Sequence, residues 1–109
     1  MVTALRRYDI YLVDLDPTVG AELRKTRPCV VISPDEMNRS LKTLIVAPMT
    51  SRVRRYPNRV RASFEGRDGE IALDEIRTVD RSRLVRRLGA LDRSTAETVA
   101  GRLVAMFTL

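Results

Sequence analysis

A chain of 109 residues with one cysteine and no histidine fits one domain that buries a modest hydrophobic core. The single cysteine excludes an internal disulfide, and the lack of histidine excludes zinc sites that need Cys and His together. Twenty Lys+Arg against fourteen Asp+Glu leave a net charge of +6, which favours a polyanionic partner.

The opening MVTALRRYDIYLVDLDP has two arginines, then alternates apolar with polar residues and soon reaches Asp9, Asp14 and Asp16. It fits neither a signal peptide nor a membrane span, so a reducing, cytoplasmic location is expected. Residues 9–15 (DIYLVDL) alternate and stop at Asp16-Pro17, as a first strand would. Residues 27–33 (RPCVVIS) form a continuous apolar run, the mark of a strand buried on both faces, with Pro28 as its first residue. Residues 43–49 (TLIVAPM) form the next such run. Pro48 lies near its end, so the chain is expected to leave the sheet there, with Thr50 at the exit.

Shorter strands are expected at 59–64, 70–73 and 75–79, with Gly66 and Gly69 supplying the turn between the first two. From Ala96 the period becomes helical, through Val99, Ala100, Leu103, Val104 and Phe107. Ser94 with Glu97 three residues later reads as a capping box, and Asp92 is the competing N-cap. Such a helix lays its stripe on the open face of a curved antiparallel sheet. The expected fold is α+β, mainly antiparallel β: a small barrel-like single domain over 1–109 with a C-terminal amphipathic helix.

Basic residues fall in three clusters: Arg24, Lys25 and Arg27; Arg52, Arg54, Arg55, Arg59 and Arg61; and Arg81, Arg83, Arg86 and Arg87. Any one of them could equally be a solvated surface. Eighteen of the twenty basic residues are arginine, and guanidinium recognises phosphate bidentately and stacks on bases, which points toward nucleic acid. GC-rich coding would give the same bias.

Three blocks, in order, carry a family resemblance: RRYDIYLVDLDPTVGAELRKTRPCVVIS, DEMNRSLKTLIVAPMTS and IALDEIRTVDRSRLVRRLGALD. The chain resembles the MazF/PemK toxins over nearly its whole length. The resemblance implies an SH3-like barrel that forms a homodimer and cleaves single-stranded RNA at selected sequences, mRNA included, leaving 2′,3′-cyclic phosphate and 5′-hydroxyl ends. It also implies a cognate small acidic, MazE-like antitoxin lying along the basic groove, with no cofactor, metal or membrane involved.

Such cleavage needs a proton acceptor for the ribose 2′-hydroxyl, positive charge on the crowded phosphorus, and a proton for the leaving oxygen. Without histidine, electrostatic stabilisation is expected to dominate. By match, Arg27 and Thr50 are the catalytic positions: Arg27 to aim its fork at a phosphate oxygen, Thr50 to donate from its hydroxyl. Glu22, in the same loop as Arg27, is the candidate for proton transfer or for orienting Arg27. Ser51 is a further phosphate contact. Arg24, Lys25 and the segment from Arg52 to Arg61 (Arg52, Arg54, Arg55, Arg59 and Arg61) are expected to line the groove and bind flanking phosphates, and Tyr56 to stack on a base. Each has a plainer alternative: a solvated arginine, a β-branched strand end, an exposed loop carboxylate.

Two positions depart from the family pattern. Tyr8 replaces a usual glycine, and Glu75 stands where a neutral glutamine is common. Cys29 reads as a buried structural thiol. Two rival functions share the features: a gyrase poison of the same fold, which would need the C-terminal tryptophan this chain lacks, and a non-catalytic RNA-binding barrel.

Overall fold

The computed structural model describes residues 4–109, so residues 1–3 of the N-terminal stretch lie outside the described residues. Seven strands form one curled sheet with antiparallel pairing throughout: β1 (Asp9–Asp14), β2 (Thr26–Val31), β3 (Thr43–Thr50), β4 (Arg59–Phe64), β5 (Arg67–Ala72), β6 (Arg77–Asp80) and β7 (Leu84–Ala90). A short helix α1 (Asp35–Ser40) follows β2, and α2 (Arg93–Phe107) closes the chain. The sheet order is β4-β5-β3-β2-β1-β7, with β6 also on β3. This is the small α+β barrel that the alternation and the helical ending imply.

The two continuous apolar runs lie at the centre because both of their faces are covered. Val30, Ala47 and Met49 face a core shared with Ile10, Val60, Ile71, Leu73 and Val99 of α2. Cys29, Val31, Leu44 and Val46 face a second core with Leu5, Val13, Leu15 and Val79. Neighbouring residues of one strand serve opposite cores, as the two-residue period of a strand requires.

Pro48 behaves differently from expectation. The chain does not leave the sheet after it: β3 runs on through Thr50, which pairs with Glu70. Pro48 instead lies between the part of β3 that pairs with β6 (Thr43 to Val46) and the part that pairs with β5 (Met49 and Thr50). A residue that cannot donate to a ladder is tolerated at such a change of partner. Likewise β2 begins at Thr26, so Pro28 sits inside the strand, opposite Leu12.

The turn between β4 and β5 is made by Glu65 (φ 51°) and Gly66 (φ 76°), the left-handed pair of a two-residue hairpin. Gly69 is not part of it; it lies within β5, which starts at Arg67. Leu73–Glu75 forms a 3₁₀ turn, so β6 starts at Arg77 rather than at Glu75.

In α2 the N-cap is Asp92, whose Oδ1 accepts the Thr95 N–H at 2.8 Å. Ser94 lies inside the first turn, where it cannot cap. Val99, Leu103 and Met106 meet the core, whereas Val104 and Phe107 are exposed. The stripe is therefore narrower than the apolar spacing suggests and rotated toward Met106. Two elements, α1 and β7, have no counterpart in the pattern reading. β7 is an edge strand whose middle residues, Val85, Arg86 and Arg87, are exposed, so it carries little alternation.

Candidate active site

Two depressions of about 530 and 780 Å³ meet on one side of the barrel and share Arg27, Thr50 and Ser51 in their lining. The sheet places them together: β2 and β3 are adjacent, with Cys29 opposite Pro48, so the start of one strand lies beside the end of the other.

Arg27 is held by two main-chain carbonyls. Its Nε donates to Arg24 O at 3.0 Å and its Nη1 to Met49 O at 3.3 Å. The remaining guanidinium N–H groups are available to a phosphate. Thr50 is 8% exposed, and its Oγ1 accepts the Arg52 N–H at 3.1 Å. That bond uses a lone pair and leaves the hydroxyl hydrogen to be donated.

Thr50 depends on a close approach by β5. A Cβ on Gly69 would lie 2.2 Å from the Thr50 carbonyl oxygen and 3.3 Å from Ser51 Cα. Only glycine lets the two backbones come this near. In the sequence Gly69 reads as a turn residue because the close backbone contact, formed between distant segments, leaves no local pattern.

Glu22 lines the larger depression with Arg27 and Thr50. Its Oε1 accepts the Val19 N–H at 2.7 Å within its own loop. Orienting Arg27 falls to Arg24 O and Met49 O instead. Arg24, Lys25, Ser51, Arg52 and Arg54 are exposed and line the same depression. Arg55 is exposed in the same loop with φ 58°, and Lys25 has φ 70°. Tyr56 is half exposed, and one face of its ring is covered by the Arg59 guanidinium, 5.0 Å from its centroid.

Arg59 differs from its basic neighbours. Its side chain is 5% exposed and pairs with Asp74 at 2.6 Å, Glu75 at 3.4 Å and Glu70 at 3.5 Å. The third arginine cluster is also largely committed. Arg87 pairs with Asp9 at 3.2 Å, Arg83 donates to the carbonyls of Asp14 and Asp16, and Arg81 to those of Asn38 and Leu41.

The two departures from the family pattern differ in what they do. Tyr8 adopts φ 70°, a left-handed conformation that glycine takes without strain. Glu75 Oε1 accepts the Leu23 N–H at 2.7 Å while Oε2 meets Arg59, so the carboxylate ties the loop before β2 to the Arg59 cluster. Glu70 is a residue that sequence reading missed. It is 2% exposed and accepts from Arg54 N–H at 3.0 Å and Arg55 N–H at 2.9 Å. Burial alone would push its pKa up, but these two bonds and the charge of Arg59 outweigh it and hold the carboxyl below its ordinary value. No signal in a strand reading "GEIAL" shows that the glutamate points at a loop sixteen residues away.

Comparison with known proteins identifies the family and the fold. The pattern of the family described as "PemK-like, MazF-like toxin of type II toxin-antitoxin system" matches residues 6–107. The chain is 38% identical over 102 residues to "Endoribonuclease EndoA" of Bacillus subtilis (strain 168), covering 87% of each protein. MazF from Deinococcus radiodurans shares its fold at a TM-score of 0.85 and 25% identity, over 99% of this chain and 100% of that one. An endoribonuclease from Mycobacterial species, solved in complex with its cognate antitoxin, shares the fold at a TM-score of 0.81 and 21% identity, over 97% of each chain. Among the described residues no helix is long and apolar enough to cross a membrane. With the match spanning nearly every element from the turn before β1 to the end of α2, the chain belongs to the PemK-like, MazF-like toxin family of type II toxin–antitoxin systems.

Proposed function

We propose that this protein is a toxin endoribonuclease that cuts single-stranded RNA, mRNA among its targets, without a metal ion. The observation that carries the reading is the meeting of Arg27 and Thr50 in one groove, with Arg24, Lys25, Arg52 and Arg54 along it.

The ribose 2′-oxygen bonds to the adjacent phosphorus as the bond from phosphorus to the 5′-oxygen breaks. One proton leaves the 2′-hydroxyl and one reaches the departing 5′-oxygen, giving 2′,3′-cyclic phosphate and 5′-hydroxyl ends. Arg27 places fixed positive charge and N–H donors where the phosphorane gathers negative charge. Thr50 donates its hydroxyl to a non-bridging oxygen. Glu22 is the candidate proton acceptor, since the bond to Val19 uses only its Oε1. Arg24, Lys25, Ser51, Arg52, Arg54 and Arg55 grip flanking phosphates, and the open face of Tyr56 takes a base.

The toxin works in the cytoplasm, as a single domain, in a homodimer. Its antitoxin is a small acidic protein whose extended segment competes with RNA for the same arginines and covers Arg27 and Thr50. Solved complexes of relatives with antitoxins support this partner.

The test is incubation of the pure protein with a long RNA in EDTA, followed by analysis of the ends. Internal cuts bearing cyclic phosphate and 5′-hydroxyl termini are expected. RNA bound but uncut would favour a non-catalytic barrel, and neither binding nor cutting a protein-directed toxin.

A further inference from the structure

Among the described residues, the carboxylate of Glu70 is the most deeply buried charge that no step of cleavage uses. β5 sets Glu70 opposite Thr50 on one side and Arg61 on the other. From there its two oxygens take the N–H groups of consecutive residues, Oε1 from Arg54 and Oε2 from Arg55, while Arg59 Nη1 approaches Oε1 at 3.5 Å. The loop after Thr50 has few apolar anchors: Val53 and Tyr56 are both exposed. Beyond the Arg52 N–H, which Thr50 Oγ1 accepts, a two-oxygen clamp on adjacent amides ties the loop down at Arg54 and at Arg55, whose backbone is left-handed.

We propose that Glu70 is a positioning residue for RNA binding, whose buried carboxylate clamps the Arg52–Arg55 loop into a rigid arc and so presets its guanidinium groups along the groove. The inference rests on the endoribonuclease reading above. Arg59 extends the clamp, since the same guanidinium that meets Glu70 also meets Asp74 and Glu75 and stacks on Tyr56. Glu75 in turn holds Leu23 N–H. The loop before β2, which carries Glu22, Arg24 and Lys25, and the loop after β3 are thereby held by one connected network. A flexible loop would have to be ordered each time RNA bound, and the clamp removes that cost in advance.

Loss of the clamp should weaken ground-state and transition-state binding alike, because Arg27 keeps its two carbonyl partners and Thr50 its strand pairing with β5. In the Glu70→Gln protein KM is expected to rise about tenfold, with kcat within about twofold of wild type. The variant should also flatten the salt dependence of RNA binding, by about 0.7 in the log–log slope for each phosphate that the loop no longer neutralises. Replacing Arg52, Arg54 and Arg55 by glutamine should raise KM in the wild-type background and add little in the Glu70→Gln background. In the wild-type protein, without any substitution, the Arg54 and Arg55 amides should exchange hydrogen slowly.

A fall in kcat with KM unmoved, full additivity of the two changes, or fast exchange at both amides would each overturn the proposal. The exchange measurement decides it even if Glu70→Gln does not fold. Wild-type protein that cuts no RNA would instead overturn the functional reading, and the two failures are distinct.

Discussion

Arg27 reaches from β2 to donate a hydrogen bond to the carbonyl of Met49, the residue immediately before Thr50. The two candidate catalytic side chains are thus linked through the main-chain carbonyl that precedes Thr50. Removing the Arg27 guanidinium takes away charge at the phosphate and one brace on the end of β3. Arg27→Ala should lower the cleavage rate by about 10²- to 10³-fold, in the range of a missing oxyanion donor, while circular dichroism remains that of the wild type. Thr50→Ala removes one neutral donor and should cost no more than about tenfold. Single-turnover cleavage of a labelled RNA ranks them, and a larger loss at Thr50 would reverse the assignment of the dominant group.

Gly69 should be as sensitive as a catalytic position although it has no side chain. A Cβ there meets the Thr50 carbonyl oxygen at 2.2 Å, so one of the two backbones must shift, right beside the pairing of Thr50 with Glu70. Gly69→Ala is expected to lose about 1–3 kcal/mol of stability through overpacking and to cut RNA more slowly even where it is fully folded. Gly66→Ala, in an open turn at φ 76°, should lose stability without a change in cleavage of the folded fraction. Equal kinetics for folded Gly69→Ala and wild type would show that the close approach does not position Thr50.

Cys29 is fully buried, and burial pushes its thiol up to about 12, against the opposing charges of Arg27 and Arg77. In the unfolded chain the thiol ionises near its ordinary value of about 8.5. Between those two values the folded state keeps a proton that the unfolded state has lost. The contribution of the thiol to stability is therefore complete below about pH 8.5 and shrinks as pH rises toward 12. Native protein at about pH 8, where free thiols begin to ionise, should resist a thiol reagent and react promptly in denaturant, and Cys29→Ala should flatten the alkaline decline of Tm. Rapid labelling of the native protein would show that the thiol is accessible.

The parts of the fold that follow from local periodicity were legible in the sequence. The strands around Ile10, Val30 and Val46 and the helix through Val99 stand where alternation and helical spacing put them. What local pattern does not carry is contact between distant segments. Gly69 looks like a turn glycine until β5 lies on Thr50, Glu70 looks like any strand glutamate until the loop folds over it, and Arg59 looks like one more phosphate ligand until Asp74 and Glu75 close on it. β7 was illegible because an edge strand with exposed Val85, Arg86 and Arg87 buries too little to alternate. Arg27, Thr50 and Glu22 came from the family resemblance, since no rule of spacing brings residues 22, 27 and 50 into one groove. Their meeting there is a property of the paired strands.

The proposed reaction makes the ribose 2′-hydroxyl the attacking group and lets this protein complete the cut without a metal. Once the cleavage position in an RNA has been mapped, an otherwise identical strand with a 2′-deoxy ribose at that single position removes the nucleophile and leaves every phosphate in place. In EDTA, the wild-type protein is expected to bind both strands with similar affinity and to cut only the all-ribose one. Cleavage of the 2′-deoxy strand at the same position and at a comparable rate would contradict this mechanism.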